Sequence, residues 1–148
     1  MVVSASSILS FFFACFVSLF SVTYSLRVPY RLTKSPLVKE YYETNYVTSI
    51  PIDLFFIGCY FVVALQIANA LGMNTYIEKL MIVGLTTAFL TSAFCFYFRS
   101  TPKTDNFFSR WFHAVGYASV LYDVILLMTV FVVYSYMCDA SSQALSLD

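Results

Sequence analysis

The chain has 148 residues, of which 60% are hydrophobic and 11% charged, whereas an ordinary water-soluble domain carries roughly 25% charged residues. A chain this short has too much surface for its volume to hide that apolar content in a core of its own, so lipid must serve as part of its solvent. Eight Lys plus Arg balance eight Asp plus Glu, and no face collects enough basic charge to bind nucleic acid directly.

Four runs are long and apolar enough to cross a hydrocarbon core of about 30 Å at 1.5 Å per helical residue: 4–26, 51–71, 76–98 and 111–137. Lipid offers no partner for an unpaired backbone N–H or C=O, so helices are expected. The strict in/out alternation of a β-barrel is absent. The first run ends with small residues, Ser21 and Ser25, as a cleaved signal peptide would, but no Lys or Arg precedes it, which favours a retained span. The expectation is a single all-α domain, a four-helix transmembrane bundle with short loops.

Between the runs lie a polar loop from Arg27 to Ser49 and a tight turn at Gly72-Met73-Asn74. A second polar loop, from Ser100 to Ser109, offers Thr104-Asp105 as a helix cap, and a polar, mobile tail is expected from Ser141 to Asp148. Arg27, Arg31, Lys34 and Lys39 in the first loop share one membrane side with Arg99, Lys103 and Arg110, whereas the other side has Lys79. Positive loops stay cytosolic, so both termini are expected on the non-cytosolic side. Tyr41, Tyr42, Tyr46, Tyr97, Trp111 and Tyr134 fall where an interfacial aromatic belt belongs.

Small residues recur at four-residue spacing: Ser6, Ser10, Ala14 and Ser18 in the first span, Ala64, Ala68 and Gly72 in the second, Gly84, Ala88 and Ser92 in the third. Such faces let helix backbones approach closely, within one chain or in an oligomer. Asp123 stands out. It falls near the middle of the fourth run, about 18 Å deep at 1.5 Å per residue, where a carboxylate costs roughly 2.5–3.5 kcal/mol unless it faces protein or water. The second and fourth spans run in the same direction, which puts Gln66 at a similar depth, so the expected intramembrane polar group is Asp123 with Gln66 and Asn69. A register-fixing hydrogen bond is the plainer role for it, and a proton or cation relay the sharper one.

Nothing points to catalysis. Cys15, Cys59, Cys95 and Cys138 stand alone, without CxxC or metal-ligand spacing, and Cys138 is a site for lipidation at most. His113 is the lone histidine, an interfacial anchor beside Arg110 and Trp111. No nucleophile has a matching base. No enzyme activity, metal or cofactor is expected.

Residues Tyr97 to Leu127 include FFSRWFHAVG (Phe107 to Gly116) and LYD (Leu121 to Asp123). This stretch resembles a segment of small multispan membrane proteins of nucleocytoplasmic large DNA viruses. The resemblance implies a minor capsid or inner-membrane component of an icosahedral virion, whose internal membrane derives from host endoplasmic reticulum. It also implies capsid or minor capsid proteins as partners beside the lipid bilayer, met by the two basic loops. A small channel or transporter using Asp123 and Gln66 is the alternative, and a cellular membrane-assembly or trafficking factor a third.

Overall fold

The computed structural model describes residues 5–144, with side chains from 7 to 140. Among them are seven α-helices and no strand: α1 (Ala5–Leu19), α2 (Val28–Leu32), α3 (Pro36–Lys39), α4 (Tyr46–Ala70), α5 (Tyr76–Ser100), α6 (Phe107–Val115) and α7 (Ala118–Ala144). Wider π-helical turns extend α1 through Phe20–Ser25 and α3 through Glu40–Thr44. Four segments are long and apolar enough to cross a membrane: Ser7–Ser25, Tyr46–Ala70, Tyr76–Ser100 and Ala118–Ala140. The protein is an all-α integral membrane protein built as a four-helix bundle.

Successive spans run antiparallel. Helix α7 packs chiefly on α5 and α1, and α5 packs on α4. The ring of Phe11 closes the remaining side, 5.0 Å from Phe61 of α4 and 6.2 Å from Tyr134 of α7. Small residues form the seams, as close helix approach in lipid requires. Ser10, Ala14, Ser18, Ala64 and Ala68 are all buried. Gly84 is buried too, and a Cβ there would come within 3.1 Å of Met128 Sδ on α7. Ala88 and Ser92 are half-buried beside this seam. Gly72 departs from the expected packing face: it is exposed, at φ +68 in the α4–α5 turn, a backbone conformation that glycine adopts without strain. Helix α5 begins as expected because Thr75 and Glu78 form a reciprocal capping box.

Several boundaries differ from the expected spans. Helix α4 starts at Tyr46 rather than at Pro51. Its first turn is anchored by the Ser49 hydroxyl, which donates to the Asn45 carbonyl at 3.0 Å, and Pro51 is accommodated inside the helix. The apolar run 111–137 is two helices: Gly116, at φ +58, ends α6, and α7 starts afresh at Ala118. Gly116 also leaves room for a neighbour, since a Cβ there would sit 2.8 Å from Arg99 Nη1. Helix α6 is capped by Asn106, whose side chain accepts from Phe108 N, not by Thr104-Asp105. Helix α7 continues to Ala144, so the segment expected as a tail starts out helical. The Ser4 start of the first span, the Ser6 side chain and residues 145–148 lie outside the described residues.

Candidate functional site

The two basic loops fold into one cap over the end of the bundle. Pro36 supplies a preset first turn for α3, with Ser35 capping it, and the chain then places Tyr41 and Tyr42 against α6. Tyr41 stacks on Phe107 at 4.8 Å and lies 5.2 Å from Trp111. Arg110 Nη2 donates to Glu40 Oε2 at 2.7 Å, joining α6 to the first loop. The Ser49 hydroxyl shares its one hydrogen between the Asn45 carbonyl and the Tyr41 carbonyl, 2.8 Å away, tying the cap to α4.

The expected basic residues divide on this cap. Arg27, Arg31, Lys34, Lys39, Arg99 and Lys103 are exposed at this one end. Arg110 was expected to face a partner but is half-buried and engaged within the chain, because Glu40 sits opposite it. The aromatic belt is corrected in the same way. Tyr46 and Tyr97 are exposed, whereas Tyr41, Tyr42 and Trp111 are buried beneath the cap. His113 Nδ1 lies 2.8 Å from the Ser109 carbonyl of its own helix.

Below the cap is a cavity of about 150 Å³ between α4, α5, α6 and α7. Its walls are mostly aromatic, with Phe56 and Tyr60 from α4, Phe94 and Phe98 from α5, and Trp111 and Phe112 from α6. Two carboxyl groups reach it, Asp53 from α4 and Asp123 from α7. The Tyr41 hydroxyl donates to Asp53 Oδ1 at 2.7 Å. Burial, and then the nearby Asp53 carboxylate, push the Tyr41 phenol well above its ordinary pKa, so it remains a donor. Asp53 Oδ2 is buried with no hydrogen-bond partner among the described residues. Asp123 Oδ2 accepts from the Thr91 hydroxyl of α5 at 2.7 Å. The preceding residue, Tyr122, shares a 2.7 Å hydrogen bond with Thr23 near the end of the first span.

The expected Asp123–Gln66–Asn69 group is not what the bundle brings together. Helix α4 turns Ile57, Tyr60, Ala64 and Ala68 inward, and at about 100° per residue Gln66 and Asn69 fall on its exposed side. Asp123 also lies nearer the basic end than expected, about 8 Å into α7 at 1.5 Å per residue. Sequence reasoning passed over Asp53, which sits third in the expected second span and so looked interfacial. The signal that finds it is helical phase: positions 53, 57, 60, 64 and 68 lie on one face. Beyond the cavity, Phe61, Val130 and Phe131 fill the bundle axis toward the opposite end. Among the described residues no cluster of His, Cys, Asp and Glu has the makings of a metal site.

Comparison of the chain with protein families, curated proteins and solved structures finds no match.

Proposed function

We propose that the chain is a structural membrane protein of an icosahedral large DNA virus, a minor capsid component that links the internal membrane to the capsid shell. The observation that carries this reading is the cap. Two loops distant in sequence are locked together by Glu40–Arg110 and the Tyr41–Phe107–Trp111 stack, so six exposed cations are displayed on an ordered platform at one end. A preordered surface loses less conformational entropy on docking than two mobile loops do. The resemblance of Tyr97–Leu127 to viral multispan proteins is what suggests the setting. In that setting the cap faces the cytosol and the shell, both termini lie on the non-cytosolic side, and the membrane is of endoplasmic reticulum origin.

The test is mass spectrometry of purified particles from infected cells. Retention at a fixed ratio to the capsid protein, with release only on membrane solubilisation, is the expected result. Absence from particles, with the protein left in host membranes, overturns the reading. Replacing Arg31, Lys34 and Lys103 together by Gln should lower incorporation into particles and leave membrane insertion intact.

A small channel or transporter is the second reading, favoured by the two carboxyl groups in one cavity. Asp123→Asn separates the two: a transporter loses ion-dependent flux in proteoliposomes, while a structural component keeps its incorporation.

A further inference from the structure

We infer that the cavity beneath the cap is a binding site for a small organic ammonium cation. Three observations converge on it. The cavity measures about 150 Å³, the size at which an apolar protein cavity takes up benzene-sized guests. Its walls are mostly aromatic rings, and the faces of such rings carry negative electrostatic potential and attract alkylammonium groups. And it has an acceptor to spare, because Asp53 Oδ2 is buried with no hydrogen-bond partner among the described residues, the Tyr42 hydroxyl lying close by, while Oδ1 is held by Tyr41. A buried carboxylate oxygen without a partner is costly, and a cation lodged between Asp53 and Asp123 supplies what it lacks.

The wall chemistry selects the kind of cation. A hard metal ion of the Ca²⁺ or Mg²⁺ type needs about six oxygen ligands. Here the two carboxyl groups are set among phenyl, phenol and indole rings, and the remaining oxygens are neutral tyrosine hydroxyls, of which those of Tyr41 and Tyr122 are already engaged with Asp53 and Thr23. Alkylated nitrogen matches both features at once, since its charge pairs with the acids and its methyl groups pack on the rings. The chemistry is shared by free methylated amines and by the choline headgroup of a lipid. The site lies in the half of the bundle next to the basic end, about 10 Å into α4 at Asp53, using 1.5 Å per residue. The inference is independent of the viral reading, and either can fail without the other.

The chain contains its own reporter. Trp111, the one tryptophan in the sequence, lines the cavity. The experiment titrates tetramethylammonium chloride into the full-length protein in a maltoside detergent, at constant ionic strength, and follows Trp111 emission. A saturable change is expected with tetramethylammonium, and none with sodium chloride or with tert-butanol, a neutral molecule of similar shape. Asp53→Asn keeps an acceptor for Tyr41 and should weaken the apparent Kd at least tenfold, with Asp123→Asn weakening it in the same direction. Equal responses to tert-butanol and tetramethylammonium would mean an apolar void and overturn the inference, as would no saturable response at all. The comparison of ligands on the unaltered protein holds even if a variant fails to fold. Competition by a soluble short-chain phosphatidylcholine, and not by the matching phosphatidylglycerol, would identify a lipid headgroup as the source. Tetramethylammonium binding without such competition would identify a free amine.

Discussion

Ser18 and Thr91 are both fully buried hydroxyl residues, and they show two fates of a polar atom inside a membrane-spanning helix. Thr91 Oγ1 reaches across to Asp123 Oδ2 at 2.7 Å and joins α5 to α7. Ser18 Oγ is buried in the α1 seam without a partner among the described residues. Removing one half of a buried hydrogen bond leaves the other half unsatisfied at about 1–3 kcal/mol, whereas removing a hydroxyl that is already unsatisfied relieves a cost. Thr91→Val is therefore expected to destabilise the bundle by about 1–3 kcal/mol, and Ser18→Ala to leave stability unchanged or raise it. Thermal unfolding in one detergent, with both variants side by side, checks the pair; equal losses would count against the assigned partners. Asp53 adds a third case, in which one oxygen is held by Tyr41 and the other is left to the cavity. That difference between two atoms of one carboxyl group is invisible in a sequence.

At the scale of the helix, the existence of each span could be read from hydropathy because a bilayer imposes a length on any apolar segment that crosses it. What hydropathy could not supply was where a helix stops inside an apolar run, or which way it faces. Gly116 stops α6 through its backbone angle and the nearby Arg99 guanidinium, neither of which changes the apolar character of 111–137. The small-residue faces, in contrast, were legible, because close approach demands small side chains at helical spacing. Following the Ala64–Ala68 face back along α4 leads to Asp53, while matching depths alone led to Gln66. The α5–α7 seam makes its own prediction. Gly84→Leu would drive a side chain into Met128, whose sulfur is already within 3.1 Å of a bare Cβ, and overpacking of this kind costs typically about 1–3 kcal/mol. A lowered unfolding temperature should result, with a companion Met128→Ala recovering part of it. Failure of that rescue would place the strain elsewhere.

For the molecule as a whole, the decisive asymmetry is electrical. Six exposed cations crown one end, while at the far end the first turn of α5 carries Lys79 beside Glu78. The positive-inside rule turns this into a measurable orientation. With the native cysteines replaced by Ser, Lys103→Cys is expected to react with a membrane-impermeant maleimide added to sealed microsomes from the cytosolic side. Asn74→Cys should react only after the membrane is opened. The reverse pattern would invert the proposed topology and remove the cap from the face where a shell could meet it.

The packing of α7 also bears on the order of events during synthesis. It follows α1, α4 and α5 in the chain, yet it is the element on which α1 chiefly packs and which α5 shares with α4. It brings Tyr122 to Thr23 and Asp123 to Thr91. Until α7 leaves the ribosome and enters the bilayer, Thr23 lacks Tyr122 and Thr91 lacks Asp123, and α1 lacks the helix on which it chiefly packs. The nascent protein therefore remains an open set of spans until its final helix arrives. A cell's quality-control machinery would meet any chain interrupted before Ala118 as an unclosed bundle, with the α4–α5 pair in place and the seat of α1 missing.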